Sequence, residues 1–186
     1  MNGMLSKRSN VGFTLLELVT VMLIVAIVAA IGLPSFKYVT NSNRMAMEIN
    51  GLLGDMQFAR SEAIKEGLPV TVCASTNAAD CDAGAGNDQW HSGWMIFLDT
   101  NGNGVRDTGE SVIRIQPAFT STDTFIADTT FPSVVFNRLG YAATGSATDV
   151  TIKLHSTPTN SSWTRCLRIT PVGMMNTEKA SVLNCT

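Results

Sequence analysis

The sequence predicts an α+β chain. One long N-terminal helix, transmembrane in its lower half and amphipathic in its upper half, packs on a globular domain built as an antiparallel β-sheet. Three observations carry this reading. An apolar run occupies residues 13–33, and apolar residues then recur every three or four positions from Arg44 to Glu66. Beyond Gly67 the period drops to two, in short β-branched or aromatic stretches punctuated by Gly, Asn, Asp and Pro. A chain of 186 residues holds one membrane-anchored domain with a modest core, and is too short for two sizeable domains once the apolar run is set aside.

The first element, from Phe13 to Leu33, is about 21 residues long, about 32 Å as a helix, which matches the hydrocarbon core of a bilayer. Ahead of it lies MNGMLSKRSNVG, whose only charged side chains are Lys7 and Arg8. The positive-inside rule therefore keeps the N-terminus cytoplasmic and sends everything after Pro34 across the membrane. A cleavable secretory signal is the rival reading, and alanines do stand at 26, 29 and 30. The run nevertheless continues through Ile31 and Leu33 and carries a carboxylate, both of which argue against it.

The second element is the amphipathic half of the same helix, spanning 34–66. Met45, Ile49, Leu52, Leu53, Met56, Ala59, Ala63 and Ile64 mark one face. Pro34 is expected to bend the helix without ending it, because helical patterning continues on both sides. Gly67 followed by Pro69 stops it. The remaining residues, 67–186, form the β-rich domain. Strands are expected at Val70–Cys73, Trp94–Leu98, Ser111–Ile115, Val134–Phe136, Val150–Leu154 and Cys166–Ile169. The Ala/Gly/Thr-rich pieces at 74–88 and 142–149 read as surface loops.

Composition narrows the chemistry. A net charge of −2 supplies no basic field for a polyanion, and a charged fraction of 15% in a Ser-, Thr- and Asn-rich chain suits an exported domain. The four cysteines, Cys73, Cys81, Cys166 and Cys185, all follow the membrane run, so they face an oxidising compartment and point to disulfides. Three pairings are open, and the spacing favours 73–81 with 166–185. There is no CxxC and neither His91 nor His155 neighbours a cysteine, which argues against zinc and against thiol catalysis. No Ser/His/Asp set, paired carboxylates or phosphate loop is present, so the chain does not read as an enzyme.

Glu17 is the anomaly. A charge near a bilayer centre costs roughly 2.5 to 3.5 kcal/mol on insertion scales, and such residues usually have a partner. Lying one turn into the helix, Glu17 could instead reach the headgroups, and its position alone leaves both readings open. The neighbouring residues are more specific. Gly12, then Phe13-Thr14-Leu15-Leu16-Glu17, then the unbroken apolar run resembles the class III signal of type IV pilins and type II secretion pseudopilins. The resemblance implies that residues 1–12 are a leader removed by a prepilin peptidase. Cleavage would fall after Gly12 and methylation on the new amine of Phe13. The Glu17 carboxylate would then pair with the N-terminal amine of a neighbouring subunit as helices assemble. Opposite charges in a low-dielectric setting attract strongly before desolvation is subtracted.

Across nearly the whole chain, the segments 59–63, 69–73, Gly93-Trp94, Phe97-Leu98-Asp99 and 136–140 resemble the GspH/FimT-type minor pilins, a family that includes FimU-like proteins. This resemblance implies a subunit that primes assembly of a type IV pilus, is incorporated into it and serves twitching motility. The alternative it implies is a minor pseudopilin of a type II secretion system, and a further one is a DNA-binding or adhesive subunit at the filament tip. The partners would be other major and minor pilins or pseudopilins, the prepilin peptidase and the inner membrane, with the domain in the periplasm and no cofactor required.

Two further motifs need weighing. Asp99, Asn101, Asn103, Gly104, Val105, Asp107 and Glu110 fit the twelve-residue calcium loop, with Val105 contributing a carbonyl and Glu110 closing the set. The same segment reads equally as a metal-free hairpin, because Asn101-Gly102 and Asn103-Gly104 are turn dipeptides and strands flank it. DNA uptake in some FimT-like relatives uses a Gly-Arg-x-Arg segment. The matching residues here, Gly173-Met174-Met175-Asn176, have neither arginine. Arg165, Arg168 and Lys179 read as scattered surface or strand-face charges, which argues against nucleic acid as a partner.

Overall fold

Helix α1 (Leu15–Glu66) runs through residue 34 without a break and ends at Gly67, whose φ of +67° needs no Cβ and whose N–H bonds the Ala63 carbonyl at 3.1 Å. The computed structural model describes residues 12–82, 88–127, 132–143, 149–180 and 185, without the side chain of residue 34. The leader up to residue 11 and the centres of the loops expected at 74–88 and 142–149 lie outside the described residues. The chain divides into two units, Met1–Thr40 and Asn41–Thr186.

In the first unit every described side chain from Phe13 to Leu33 is exposed. Among the described residues, α1 is the one helix long and apolar enough to cross a membrane. In the second unit Met45, Ile49, Leu52, Met56, Ala59 and Ala63 are buried at the spacing that the sequence predicts. Ile64 departs from the expectation: it follows Ala63 by one residue, about 100° round the helix, and is 52% exposed.

The stripe packs against two antiparallel sheets. One has the order β3 (Val112–Pro117), β2 (Gly93–Leu98), β1 (Val70–Ala74), β5 (Ser133–Phe136), β6 (Ala142–Ala143). The other has the order β4 (Thr124–Ala127), β7 (Val150–His155), β8 (Arg165–Ile169), β9 (Met175–Lys179). The six expected strands are present with ends shifted by a residue or two. Strands β4, β6 and β9 were not expected, and β6 lies inside the segment read as a loop. Strand β1 is buried on both faces, with Val70, Val72 and Ala74 in the main core and Thr71 and Cys73 covered by Asp99 and Cys81 on the other side, whereas β7 alternates buried and half-buried positions.

One hydrophobic core joins the helix stripe to both sheets through Trp90, Trp94, Phe125, Phe136, Ile152 and Leu167. On the other face of β1 and β2, Cys73, Met95 and Phe97 form a smaller cluster under Cys81 and Val112. Cysteines 73 and 81 are bonded, as are 166 and 185, with Cα atoms 5.6 and 5.7 Å apart. Each bridge therefore closes a local loop.

Polar side chains of α1 fasten it to the sheets. Arg44 grips the buried Asp123 carboxylate with two hydrogen bonds of 2.7 and 3.0 Å. Asp55 is buried, accepting from Trp94 Nε1 at 2.8 Å and from Arg114 at 2.6 Å. The Arg114 guanidinium also lies 4.0 Å over the Phe58 ring. Arg165, expected as a scattered surface or strand-face charge, does lie on a strand, β8, but is buried there, donating to the Ser162 and Thr164 carbonyls and to Ser42 of the helix.

Candidate functional site

The candidate assembly site is the start of α1. Gly12 and Phe13 precede the helix, and Phe13 is 83% exposed, so the bond between them is accessible. Thr14 caps the helix: its Oγ1 accepts from the Glu17 backbone N–H at 3.2 Å, and its carbonyl accepts from Leu18 N–H at 3.2 Å. Thr14 and Glu17 thus stand at the spacing of a capping box, in which the carboxylate also faces the positive end of the helix dipole. The sequence reading missed this role of Thr14, although the Thr-x-x-Glu pattern could have revealed it. Capping places Glu17 in the first turn without supplying a counter-charge. Among the described residues no cation is paired with Glu17, and the surrounding Leu15, Leu16, Leu18 and Val19 are all exposed.

The calcium-loop residues do come together, between β2 and β3, but as a hydrogen-bonded turn. Asp99 is fully buried. Its Oδ1 accepts from Gly102 N–H at 2.7 Å and Asn103 N–H at 3.2 Å, and its Oδ2 from Gly104 N–H at 2.8 Å and the Thr71 hydroxyl at 2.7 Å. Glu110 is also buried, accepting at Oε1 from Thr100 N–H at 2.7 Å and at Oε2 from Asp107 N–H at 2.9 Å. The Asn101 and Asn103 amides both donate to Asp107, at 2.7 and 2.9 Å, and the Asn103 side-chain oxygen accepts from Val105 N–H at 2.8 Å. The Asp99, Asn101, Asn103, Asp107 and Glu110 side chains expected around a cation therefore accept protein N–H and O–H groups. Among the described residues no three His, Cys, Asp or Glu side chains converge to hold a metal ion.

The cations weighed for nucleic acid are dispersed. Arg168 pairs with Asp149 at 2.9 Å and lies 3.6 Å from Glu178, and Arg165 is buried. The Gly173–Asn176 segment instead lines a groove beside α1 with Arg60, a residue the sequence reading quoted only for family resemblance.

Comparisons with known proteins agree with this arrangement. A family model described as Type II transport protein GspH matches residues 48–173, and one described as the prokaryotic N-terminal methylation motif matches residues 8–33. No curated protein sequence matches the chain. Two crystal structures of the type IV minor pilin FimU from Pseudomonas aeruginosa strain PAO1 share the fold. The form in space group P21 is 20% identical, covers 81% of this chain and 99% of its own, and has a TM-score of 0.56. The P65 form is 21% identical, covers 77% and 99%, and has a TM-score of 0.54. The long helix on an antiparallel sheet domain, the methylation motif and the extent of the family match together make this chain a structural subunit and not an enzyme: it belongs to the GspH family and has a pilin-like fold.

Proposed function

We propose that the chain is a minor pilin, cut between Gly12 and Phe13 by a prepilin peptidase and methylated on Phe13. It waits in the inner membrane with its N-terminus cytoplasmic and its domain periplasmic, and is then incorporated into a type IV pilus whose assembly it primes. Its partners are other major and minor pilins. The observation that carries this reading is the first half of α1, apolar on all sides, exposed at every described side chain from Phe13 to Leu33 and bearing one carboxylate, Glu17, with no cation paired to it among the described residues. Such a surface needs lipid or other helices to cover it, and a buried carboxylate needs a cation. The amine of a neighbouring mature chain supplies that charge at the same depth, which fixes register as well as attraction.

A specific observation favours a second reading. The family model is described as a type II transport protein, so a minor pseudopilin of a type II secretion system is the alternative. A tip subunit that binds DNA gains no support from the engaged arginines at 165 and 168. For residues 99–110 the hydrogen bonds favour the metal-free hairpin, because every side-chain oxygen of Asp99 and Glu110 already has a protein donor. Titration of the full-length protein with millimolar calcium should then leave its melting temperature unchanged, whereas a rise would restore the calcium loop.

The functional reading is tested by Glu17→Val in the full chain. Insertion and cleavage at Gly12–Phe13 should persist while recovery in sheared filaments falls by an order of magnitude or more. Normal recovery of the valine variant would remove the role assigned to the charge.

A further inference from the structure

Two turns close over the last turns of α1 and build a surface that the helix–sheet core does not use. In the first, Gly140 N–H bonds the Asn137 carbonyl at 2.8 Å, and the Asn137 side-chain oxygen accepts from Leu139 and Tyr141 N–H at 2.9 and 3.1 Å. In the second, Gly173 N–H bonds the Thr170 carbonyl at 2.8 Å, and a 3.0 Å bond from Ala142 N–H to the Pro171 carbonyl ties the two turns together. Gly140 and Gly173 have φ of +79° and +77°. A Cβ on Gly173 would run into the Gly140 carbonyl oxygen, and a Cβ on either would lie 3.0 Å from Arg60 Nε. Arg60 therefore lies across two bare glycines, held by a 2.9 Å hydrogen bond from Nε to the Gly140 carbonyl.

This corner opens as a groove of about 480 Å³ lined by Gln57, Arg60 and Ile64 of α1 and by Met174, Met175 and Asn176. Its rim is apolar, with Ile64 and Met174 52% and 58% exposed. Arg44, Arg114 and Arg168 each pair with a carboxylate, but among the described residues Arg60 has none within 4.0 Å. It is half-buried, positioned by its Nε, and has N–H donors to spare.

We propose that this groove docks a carboxylate-bearing apolar segment of a neighbouring subunit. The carboxylate meets the guanidinium of Arg60, and an apolar side chain lies between Ile64 and Met174. Charge complementarity selects the partner: a planar guanidinium takes a carboxylate in two hydrogen bonds, and its partly desolvated setting strengthens them. The two methionines supply an adaptable apolar wall. A nucleic-acid strand fits less well, because phosphate tracking needs several cations and Arg168 beside the groove is tied to Asp149 and Glu178. The proposal rests on the subunit reading above.

The test places a photoreactive benzoylphenylalanine at position 174 of the full-length chain in cells, with the crosslink in recovered filaments mapped by mass spectrometry. It also compares the wild type with Met174→Glu, which offers Arg60 a competing carboxylate in place. Met174 is exposed, so the change should not disturb folding. The crosslink should fall within a few residues of an Asp or Glu on another subunit. Met174→Glu should lower incorporation at least about tenfold, the scale of losing one desolvated charge pair. Normal incorporation of Met174→Glu beside a normal wild type, or a crosslink to DNA or to a segment without a carboxylate, would overturn the docking role alone. Absence of the wild-type chain from every filament and pseudopilus would overturn the subunit reading and the docking role with it.

Discussion

The two halves of α1 are continuous in backbone and opposite in pattern. From Leu15 to Leu33 apolar residues surround the helix and every described side chain is exposed, whereas from Met45 to Ala63 they form a stripe that is buried in the core at Met45, Ile49, Leu52, Met56, Ala59 and Ala63. The difference is one of periodicity more than of hydrophobicity. A stripe can be satisfied by a sheet of the same chain, leaving the opposite face to water. A helix that is apolar all round cannot be covered by one small domain and has to find lipid or other helices. The charged side chains named above follow the same division: in the second half Arg44, Asp55 and Arg60 each meet a partner within the chain, while in the first half the Glu17 carboxylate meets none among the described residues.

The largest effect that could break this comparison is expected from paired truncations. Leu52→Ala removes a side chain with no exposed surface from the centre of the core and should destabilise the domain by about 3 to 5 kcal/mol. Leu23→Ala, a like change on an exposed site, should leave the domain's unfolding in detergent unchanged. Comparable losses at the two positions, read by near-ultraviolet circular dichroism, would show that the first half carries part of the domain's stability and would break the comparison. A smaller effect sharpens the polar side: Asp55→Ala leaves the buried Trp94 N–H without its acceptor and should cost about 1 to 3 kcal/mol.

The smallest effect has a pH signature. Burial pushes the Glu48 carboxyl above its usual range, Asp123 nearby adds to the rise, and the 2.9 Å hydrogen bond from Ser121 opposes it. The folded protein therefore holds this proton more tightly than the unfolded chain does. The stabilisation is complete below the unfolded carboxylate range and is lost as pH rises through the raised folded value. Glu48→Gln, uncharged at every pH, should raise the melting temperature slightly at pH 7 and lose that advantage in acid. An unchanged difference between pH 4 and pH 7 would contradict the assignment.

Legibility follows the same division. The stripe on α1 and the strands at the centres of the sheets could be read because burial imposes a period on them. Strand β9 (Met175–Lys179) could not: it is an edge strand with polar, exposed residues, held by backbone pairing with β8 that leaves no mark on side-chain type. Strand β6 is two alanines paired with β5. Asp55 was legible in principle, since it lies three residues after Leu52 and one before Met56, inside the stripe, but a carboxylate there reads as solvent-facing until Trp94 and Arg114 are brought to it by β2 and β3. Arg165 carried no local signal, because the carbonyls that hold it belong to a turn. The N-terminal methylation motif was legible because it is a pattern of linear sequence.

The central claim is that the exposed half of α1 is a processed assembly surface. N-terminal sequencing with intact mass of the chain recovered from sheared surface filaments tests it most directly. The account predicts a chain that begins at methylated Phe13 in the filament fraction. The same chain confined to the membranes of a secretion-competent cell would move it to a pseudopilus, and an uncut chain beginning at Met1 would contradict the account.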